Sequence, residues 1–336
     1  ETAESRKAKD MCTDEEYDLL SLAYPLLKSI CGFAPRWGML TGVRPSKLLL
    51  NKMEEIGEDG AVDYFINRFF VDEKKTALAL SVAKAERAII KNSPENSFSL
   101  YISIPFCPTR CSYCSFVSHS IGTDSAKKLL PDYVEKLCEE IKFVAKKAKE
   151  SGLVLTTVYW GGGTPTTLTA EQLHKVLTAI EDNFDLSSCS EYTVEAGRPD
   201  TITDEKLSVL IKHKVNRISI NPQTFNDSVL KEIGRCHTTA LTEEKFKDAR
   251  KAGFETINMD LIAGLPTDTF ESFKNSVDRA IELGAENITV HTLALKRSST
   301  LVTEDEKDSV TEKNIEKMLD YSFEALTDAG YHPYYM

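Results

Sequence analysis

Two rhythms divide the chain. Over residues 1–97 apolar positions recur at the three- and four-residue spacing of amphipathic helices. Beyond that point short runs rich in β-branched and aromatic residues alternate with helical segments. In the first part Thr13-Asp14-Glu15-Glu16 reads as a capping box, with threonine at the N-cap and glutamate three residues on, opening a helix to about residue 30. A stretch rich in proline and glycine, residues 32–45, interrupts it, and Pro45 suits the first turn of a next helix over 46–56. Helical patterns follow over 62–70 and 72–91, and 92–97 read as a linker. The expected division is therefore a helical N-terminal domain, 1–97, and an α/β domain, 98–336.

In the second part strands are expected over 100–105, 156–160, 192–196, 217–221, 256–262 and 287–291, with helices over 132–151, 170–183, 204–213, 242–252 and 269–284. Such alternation builds a parallel sheet joined by right-handed crossovers. Six β/α units close only part of a barrel, because a full one uses eight. Each strand runs into polar residues or glycine at its C-terminal end, and in parallel α/β folds that edge binds ligands. There lie the cysteine loop, Gly161-Gly162-Gly163-Thr164-Pro165, Glu195-Ala196-Gly197-Arg198, Asn221-Pro222-Gln223, Asp260 through Pro266, and His291-Thr292.

Composition adds limits. The 336 residues are 41% hydrophobic and 28% charged, which is ordinary for a globular chain. No apolar run approaches the roughly 18 residues of a membrane span, and Glu1 to Asp10 is polar, without a targeting segment. Free cysteines imply a reducing compartment, so a cytoplasmic location is expected. A net charge of −11 argues against nucleic acid as a partner. Arg36, Arg44 and Lys47 are read as a solvated face rather than an anion site.

The densest chemistry is Cys107-Pro108-Thr109-Arg110-Cys111-Ser112-Tyr113-Cys114, a Cys-x-x-x-Cys-x-x-Cys run directly after the first strand. A structural zinc site uses four ligands, typically as two separated pairs; zinc stays the lesser alternative. Dense disulfide spacing is absent. Cys12, Cys31, Cys138, Cys189 and Cys236 are scattered singly and read as small buried hydrophobes. Three thiolates suit three irons of a four-iron cluster and leave the fourth open to another ligand. Around this loop the glycine triplet lacks dinucleotide spacing and reads instead as backbone approached closely by a ligand, able to hold a zwitterionic amino-acid group. Glu195 and Asp260 suit ribose hydroxyls or an ammonium, Arg235 a carboxylate, and Gln223 either role. Singly each is more often a capping or surface residue. Together with an open iron they fit S-adenosylmethionine.

The cysteine triplet, the glycine motif and the strand order resemble the radical S-adenosylmethionine superfamily. More narrowly, Tyr101-x-Ser103-Ile104-Pro105-Phe106-Cys107, Trp160 through Thr166 and Asp260 through Pro266 resemble oxygen-independent coproporphyrinogen III oxidase (coproporphyrinogen dehydrogenase). Trp37 through Pro45 and Tyr331-His332-Pro333-Tyr334-Tyr335 resemble its HemZ-type branch. This resemblance implies a partial (β/α)6 radical-SAM barrel after a small helical domain, with the family's C-terminal substrate-covering domain starting about where the sequence stops at Met336. It implies a 4Fe-4S cluster on Cys107, Cys111 and Cys114. It implies S-adenosylmethionine contacts from Tyr101, Tyr113, Gly162, Gly163, Thr164, Glu195, Gln223, Arg235, Asp260 and Ala294. The implied activity is oxidative decarboxylation of two propionates of coproporphyrinogen III to vinyl groups, giving protoporphyrinogen IX, started by a 5′-deoxyadenosyl radical. The implied setting is a monomer acting on a tetrapyrrole with an electron donor, without nucleic acid or membrane.

The pattern departs at two positions. Phe116 stands where the dehydrogenases resembled here carry a further cysteine, and Ser103 where they carry histidine. The Cys-x-Phe ending is shared with relatives that resemble haem chaperones, so a haem-binding or haem-transfer protein on the same fold is the alternative. A radical enzyme acting on RNA is disfavoured by the acidic balance. Arg110, Arg198, Lys296 and Arg297 are the charge-compatible candidates for substrate carboxylates, each more often a solvated or structural residue.

Overall fold

The computed structural model describes residues 14–40, 44–116, 118–294, 299, 301 and 312–335. Thr13 of the expected capping box, residues 41–43 of the tryptophan-to-proline motif, Lys296, Arg297, Cys12 and Met336 lie outside these residues. The chain falls into two compact units, Glu1–Ser93 with His332–Met336, and Pro94–Tyr331.

The first unit is helical: α1 (Asp14–Cys31), α2 (Pro45–Asp63) and α3 (Glu73–Asn92). Pro45 sits in the first turn of α2, and Asp72 caps α3 by accepting from the backbone N–H groups of Lys74 and Lys75. The expected helix at 62–70 is instead a single π-helical turn, Tyr64–Arg68, continuing from α2, which is itself broken at Gly57 (φ +81°). Leu49, Leu50, Met53, Phe65, Phe69 and Ala79 form its core. Arg44 and Lys47 are exposed as expected, whereas Arg36 is half-buried, 3.8 Å from Asp72.

In the second unit the chain order is β1 (Ser97–Ile104), β2 (Phe106–Cys107), β3 (His119–Ser120), α4 (Asp124–Glu150), β4 (Val154–Gly162), α5 (Ala170–Glu181), β5 (Glu191–Glu195), α6 (Asp204–Lys212), β6 (Arg217–Ser219), α7 (Asp227–Glu232), α8 (Thr239–Ala252), β7 (Thr256–Ala263), α9 (Phe270–Leu283), β8 (Asn287–Thr292) and α10 (Glu312–Asp328). The main sheet runs β1-β4-β5-β6-β7-β8, all parallel, with β1 and β8 at its two ends; β2 and β3 form a separate parallel pair. This is the six-strand α/β arrangement expected.

Helix α4 starts eight residues before the expected position. Thr123 accepts from the Ala126 N–H and opens the helix, and Pro131 lies inside it. Thr238 likewise caps α8 by accepting from Leu241 and begins it before Thr242. Helices α7 and α10 were not expected. Strand β6 stops at Ser219, short of the expected Asn221.

The register gives the sheet two unlike faces. Tyr101 pairs with Tyr159, Tyr159 with Thr193, Glu195 with Ser219, Ser219 with Asn258, and Asp260 with Thr289. Since side chains alternate along a strand, these residues share one face, with Arg217 and His291. The other face carries Ile102, Val158, Trp160, Val194, Ile218, Met259 and Leu261, packed on Val134, Leu137 and Ile141 of α4, Leu173 and Leu177 of α5, Leu207 of α6, Phe246 of α8 and Val277 of α9. Each of these core residues is removed from water to the extent worth ~1.5–3 kcal/mol for a large apolar side chain. Among the described residues no helix is long and apolar enough to cross a membrane.

Candidate active site at the strand ends

The cysteine loop is held from several sides. Ile121 N–H donates to the Cys107 carbonyl (2.9 Å), Ser112 N–H to Ile233 (3.1 Å), and Cys114 N–H to Cys111 (3.1 Å). Thr109 Oγ1 donates to Gly234 (3.2 Å). On the β4 side Gly163 N–H donates to Ile104 (2.8 Å) and Thr164 N–H to Phe106 (2.8 Å), so the glycine motif lies against the start of the loop. Thr164 Oγ1 stands 3.6 Å from Cys107 Sγ. A Cβ on Gly163 would meet the Phe106 carbonyl at 2.6 Å and Cys107 Sγ at 2.9 Å; only glycine lets the two segments approach.

Cys111 is buried, and Cys107 and Cys114 are half-buried. Burial raises the Cys114 thiol; the Phe116 backbone opposes this, and Cys111 and Cys107 nearby add to it. Of the scattered cysteines, Cys138 is buried and Cys189 half-buried, but Cys31 and Cys236 are exposed, which corrects their assignment to the core.

Along the polar face an acidic pair faces aromatic and imidazole neighbours. Tyr159 donates to Glu195 Oε1 at 2.5 Å, and its ring stacks on Tyr101 at 5.9 Å between centroids. Gly161 keeps this corner clear, since a Cβ there would stand 2.8 Å from the Tyr101 hydroxyl and 3.2 Å from the Glu195 carboxyl carbon. Burial, then the Asp260 charge, pushes the Glu195 carboxyl up to about 7, against the Tyr159 hydrogen bond. Asp260 accepts from Asn258 Nδ2 at 2.8 Å, and His291 Nε2 lies 3.8 Å from its other oxygen. The Asp260 carboxylate beside it raises the His291 pKa above its ordinary value.

A second group of residues surrounds Arg235. Its Nη1 donates to the carbonyls of Gly197 (3.0 Å) and Asn221 (2.9 Å), and its Nη2 to the Tyr113 hydroxyl (3.0 Å). Burial opposes its charge, yet Tyr113 and Cys111 beside it hold its pKa above the ordinary guanidinium value. Its Nε and the Oε1 of buried Gln223 have no partner among the described residues. Gln223 also has φ +67°, a left-handed backbone that a non-glycine residue rarely adopts and that clusters at functional sites. Ala294 lies exposed just after β8.

Around the strand ends the cysteine loop meets the glycine motif and, through Tyr113, Arg235, while Tyr101 and Glu195 flank Gly161. Sequence reasoning missed Tyr159 and Asn258; the signal was their register, opposite Tyr101 and Ser219, which alternation along an assigned strand would have shown. Of the cations charge-compatible with substrate carboxylates, Arg198 takes the structural role. Arg198 is 3% exposed and bonded to the cysteine loop. Of its fellow candidates, Arg110 is exposed.

Three cysteines on one loop, an unpartnered carboxamide oxygen and guanidinium N–H beside it, and backbone stripped of Cβ groups are of the chemical kind that an iron–sulfur cluster and an amino-acid-bearing ligand require. The family model of the Radical SAM superfamily matches residues 101–280. The oxygen-independent coproporphyrinogen-III oxidase-like protein HemZ of Bacillus subtilis is 37% identical, covering 93% of this chain and 63% of its own. The heme chaperone HemW of Lactococcus lactis is 36% identical, covering 70% and 60%. The solved coproporphyrinogen III oxidase (HemN) of Escherichia coli, a radical SAM enzyme, superposes with a TM-score of 0.64 at 28% identity, covering 74% of this chain and 56% of that one. The chain therefore spans less than two thirds of the length of these relatives.

Proposed function

Because the chain belongs to the radical SAM superfamily, whose members use a 4Fe-4S cluster and S-adenosylmethionine, we propose that it is the catalytic core of a haem-related radical enzyme that decarboxylates coproporphyrinogen III propionates to vinyl groups. The observation that carries this reading is the cysteine loop docked on the glycine motif, beside Gln223 and Arg235 with unpartnered polar atoms. Similarity to HemZ and HemN supports the tetrapyrrole substrate.

In this reading Cys107, Cys111 and Cys114 would hold the cluster. When bound, cluster and cosubstrate supply one-electron cleavage of a carbon–sulfur bond, yielding a radical able to take hydrogen from an unactivated carbon. The protein's part is positioning. Gly162, Gly163 and Thr164 present backbone to the amino group. Arg235 offers its remaining N–H to the carboxylate, and its Nη2 fixes Tyr113 against the methionine portion. Glu195 and Asp260 take the ribose or other donors, with Tyr159 and Asn258 orienting their oxygens. Gln223, Tyr101 and Ala294 complete the wall, with Tyr101 stacked on Tyr159.

Anaerobic reconstitution of the full-length protein with iron and sulfide tests the site. Cys107→Ala, Cys111→Ala and Cys114→Ala should each lose the visible absorption and iron content of the wild type. With reductant, S-adenosylmethionine and coproporphyrinogen III, the loaded protein should form 5′-deoxyadenosine and vinyl product together. Deoxyadenosine without a vinyl product sinks the substrate assignment.

A second reading, haem binding and transfer, is favoured by Phe116. Its ring is 66% exposed two residues past Cys114, an apolar plate suited to a macrocycle face, and the heme chaperone HemW is a relative at similar identity. Stoichiometric haem binding with delivery to an acceptor, and no vinyl product, selects it.

A further inference from the structure

The cysteine loop is pinned not only by backbone but by two buried cations, Arg235 through Tyr113 and Arg198 through Thr109 and Cys111. Arg198 follows β5, is 3% exposed, and spreads its guanidinium over four acceptors. Nε donates to Asp200 Oδ1 (3.3 Å), Nη2 to Thr109 Oγ1 (3.0 Å), and Nη1 to the Thr109 carbonyl (3.4 Å) and to Cys111 Sγ (3.6 Å). Asp200 holds the planar fork from behind so that both Nη groups face the loop. His237 Nδ1 lies 3.9 Å from the same Asp200 oxygen. Burial and the nearby Arg235 bring its pKa down to about 4, so near neutral pH it adds no charge. A buried arginine is costly unless its charge is used. Here the carboxylate satisfies one edge, and the other edge is spent on the segment that carries the thiols.

We propose that Arg198 is a positioning residue that acts through Cys111: it pins the cysteine loop to the β5 end before any metal arrives, and it holds positive charge against the Cys111 sulfur once a cluster is present. The inference rests on the reading of Cys111 as a cluster ligand for its second half only. Hydrogen bonds and charge at ligand sulfurs tune cluster potentials. Reduction adds an electron to the cluster, so a neighbouring cation favours the reduced form.

The test compares wild type, Arg198→Lys, Arg198→Met and Thr109→Val as full chains. Thr109→Val removes one Nη2 acceptor from a half-buried position and leaves the arginine in place. Three readouts are taken: tryptic cleavage after Arg110 in metal-free protein, iron and sulfide content after anaerobic reconstitution, and the midpoint potential of the cluster. Arg198→Met should speed cleavage after Arg110 by about tenfold or more, the factor that a lost charge-assisted hydrogen bond carries. It should also lower iron content and move the potential to more negative values. Arg198→Lys should restore the potential more fully than the protease resistance, because it returns charge without the fork. Thr109→Val should speed cleavage by less than Arg198→Met. Arg198→Met and Thr109→Val indistinguishable from wild type in all three readouts would overturn the proposal. Wild type that takes up no iron would instead overturn the cluster reading, while the protease comparison still decides the pinning.

Discussion

Glu195 and Gly163 carry the clearest consequences at the scale of single residues. The Glu195 carboxyl is pushed from 4.5 to about 7 by burial and by Asp260, so between those values the folded protein keeps a proton that the unfolded chain has lost. Its contribution to stability is therefore complete at low pH and is lost as pH rises through that window. Glu195→Gln should flatten the fall in melting temperature between about pH 5 and 8 relative to wild type, measured without ligands. Equal slopes for the two proteins would refute the raised value. Tyr159→Phe removes the hydrogen bond that holds the carboxyl down, so it should move the fall to higher pH. Gly163→Ala must push the Phe106 carbonyl or Cys107 aside; a loss of about 1–3 kcal/mol of stability is expected, with iron uptake impaired as well. Chemical denaturation and iron analysis check both. These sites differ in how openly the sequence shows them. The cysteines and glycines carry their chemistry in residue type and spacing, so they are legible directly. Asn258 and Tyr159 are ordinary strand residues whose work depends on a neighbour two strands' registers fix. Whether Arg198 is solvated, structural or a partner for a carboxylate is not legible until its burial is known.

At the scale of elements, alternation predicted every strand of the main sheet, because β-branched runs between amphipathic helices leave few other folds. Boundaries were less legible where a cap competed with a breaker. Thr123 opened α4 despite Pro131, and α7 is too short, at six residues, for periodicity to reveal. Joints between elements were hidden altogether. Ser276 of α9 is fully buried; it accepts from the Phe225 N–H at 2.9 Å and lies 3.3 Å from Thr224 Oγ1, tying α9 to the segment before α7. Ser276→Ala leaves that amide buried without its acceptor and should cost about 1–3 kcal/mol. The same change at exposed Ser208, whose hydroxyl bonds within its own helix α6, should fall within about 0.5 kcal/mol of wild type. Urea unfolding of the two variants separates a joint from a surface hydroxyl, and equal midpoints would show that α9 is held by its apolar face alone.

For the whole molecule, ligation couples to folding, since thiolates scattered in an unfolded chain do not form the site. Removing the cluster with a chelator under reducing conditions should lower the melting temperature, each kcal/mol of lost binding counting for about 2–4 °C in a chain of this size. Calorimetry of loaded and stripped protein measures it, and coincident transitions would mean that the loop is no part of the cooperative fold. The sheet's two faces have a further consequence for how such a chain can change over generations. Point substitutions at Tyr159, Ser219, Asn258 or Thr289 alter the polar face of the sheet and leave the helix-covered face unchanged, so new chemistry is open by single steps. Loss or gain of one residue inside β5 or β7 is another matter: it would exchange the faces of everything beyond it, presenting Val194 or Met259 to the polar face and a carboxylate to the helices. Such a strand tolerates spelling changes but not a shift of frame, and drift in length is confined to the connections between strands.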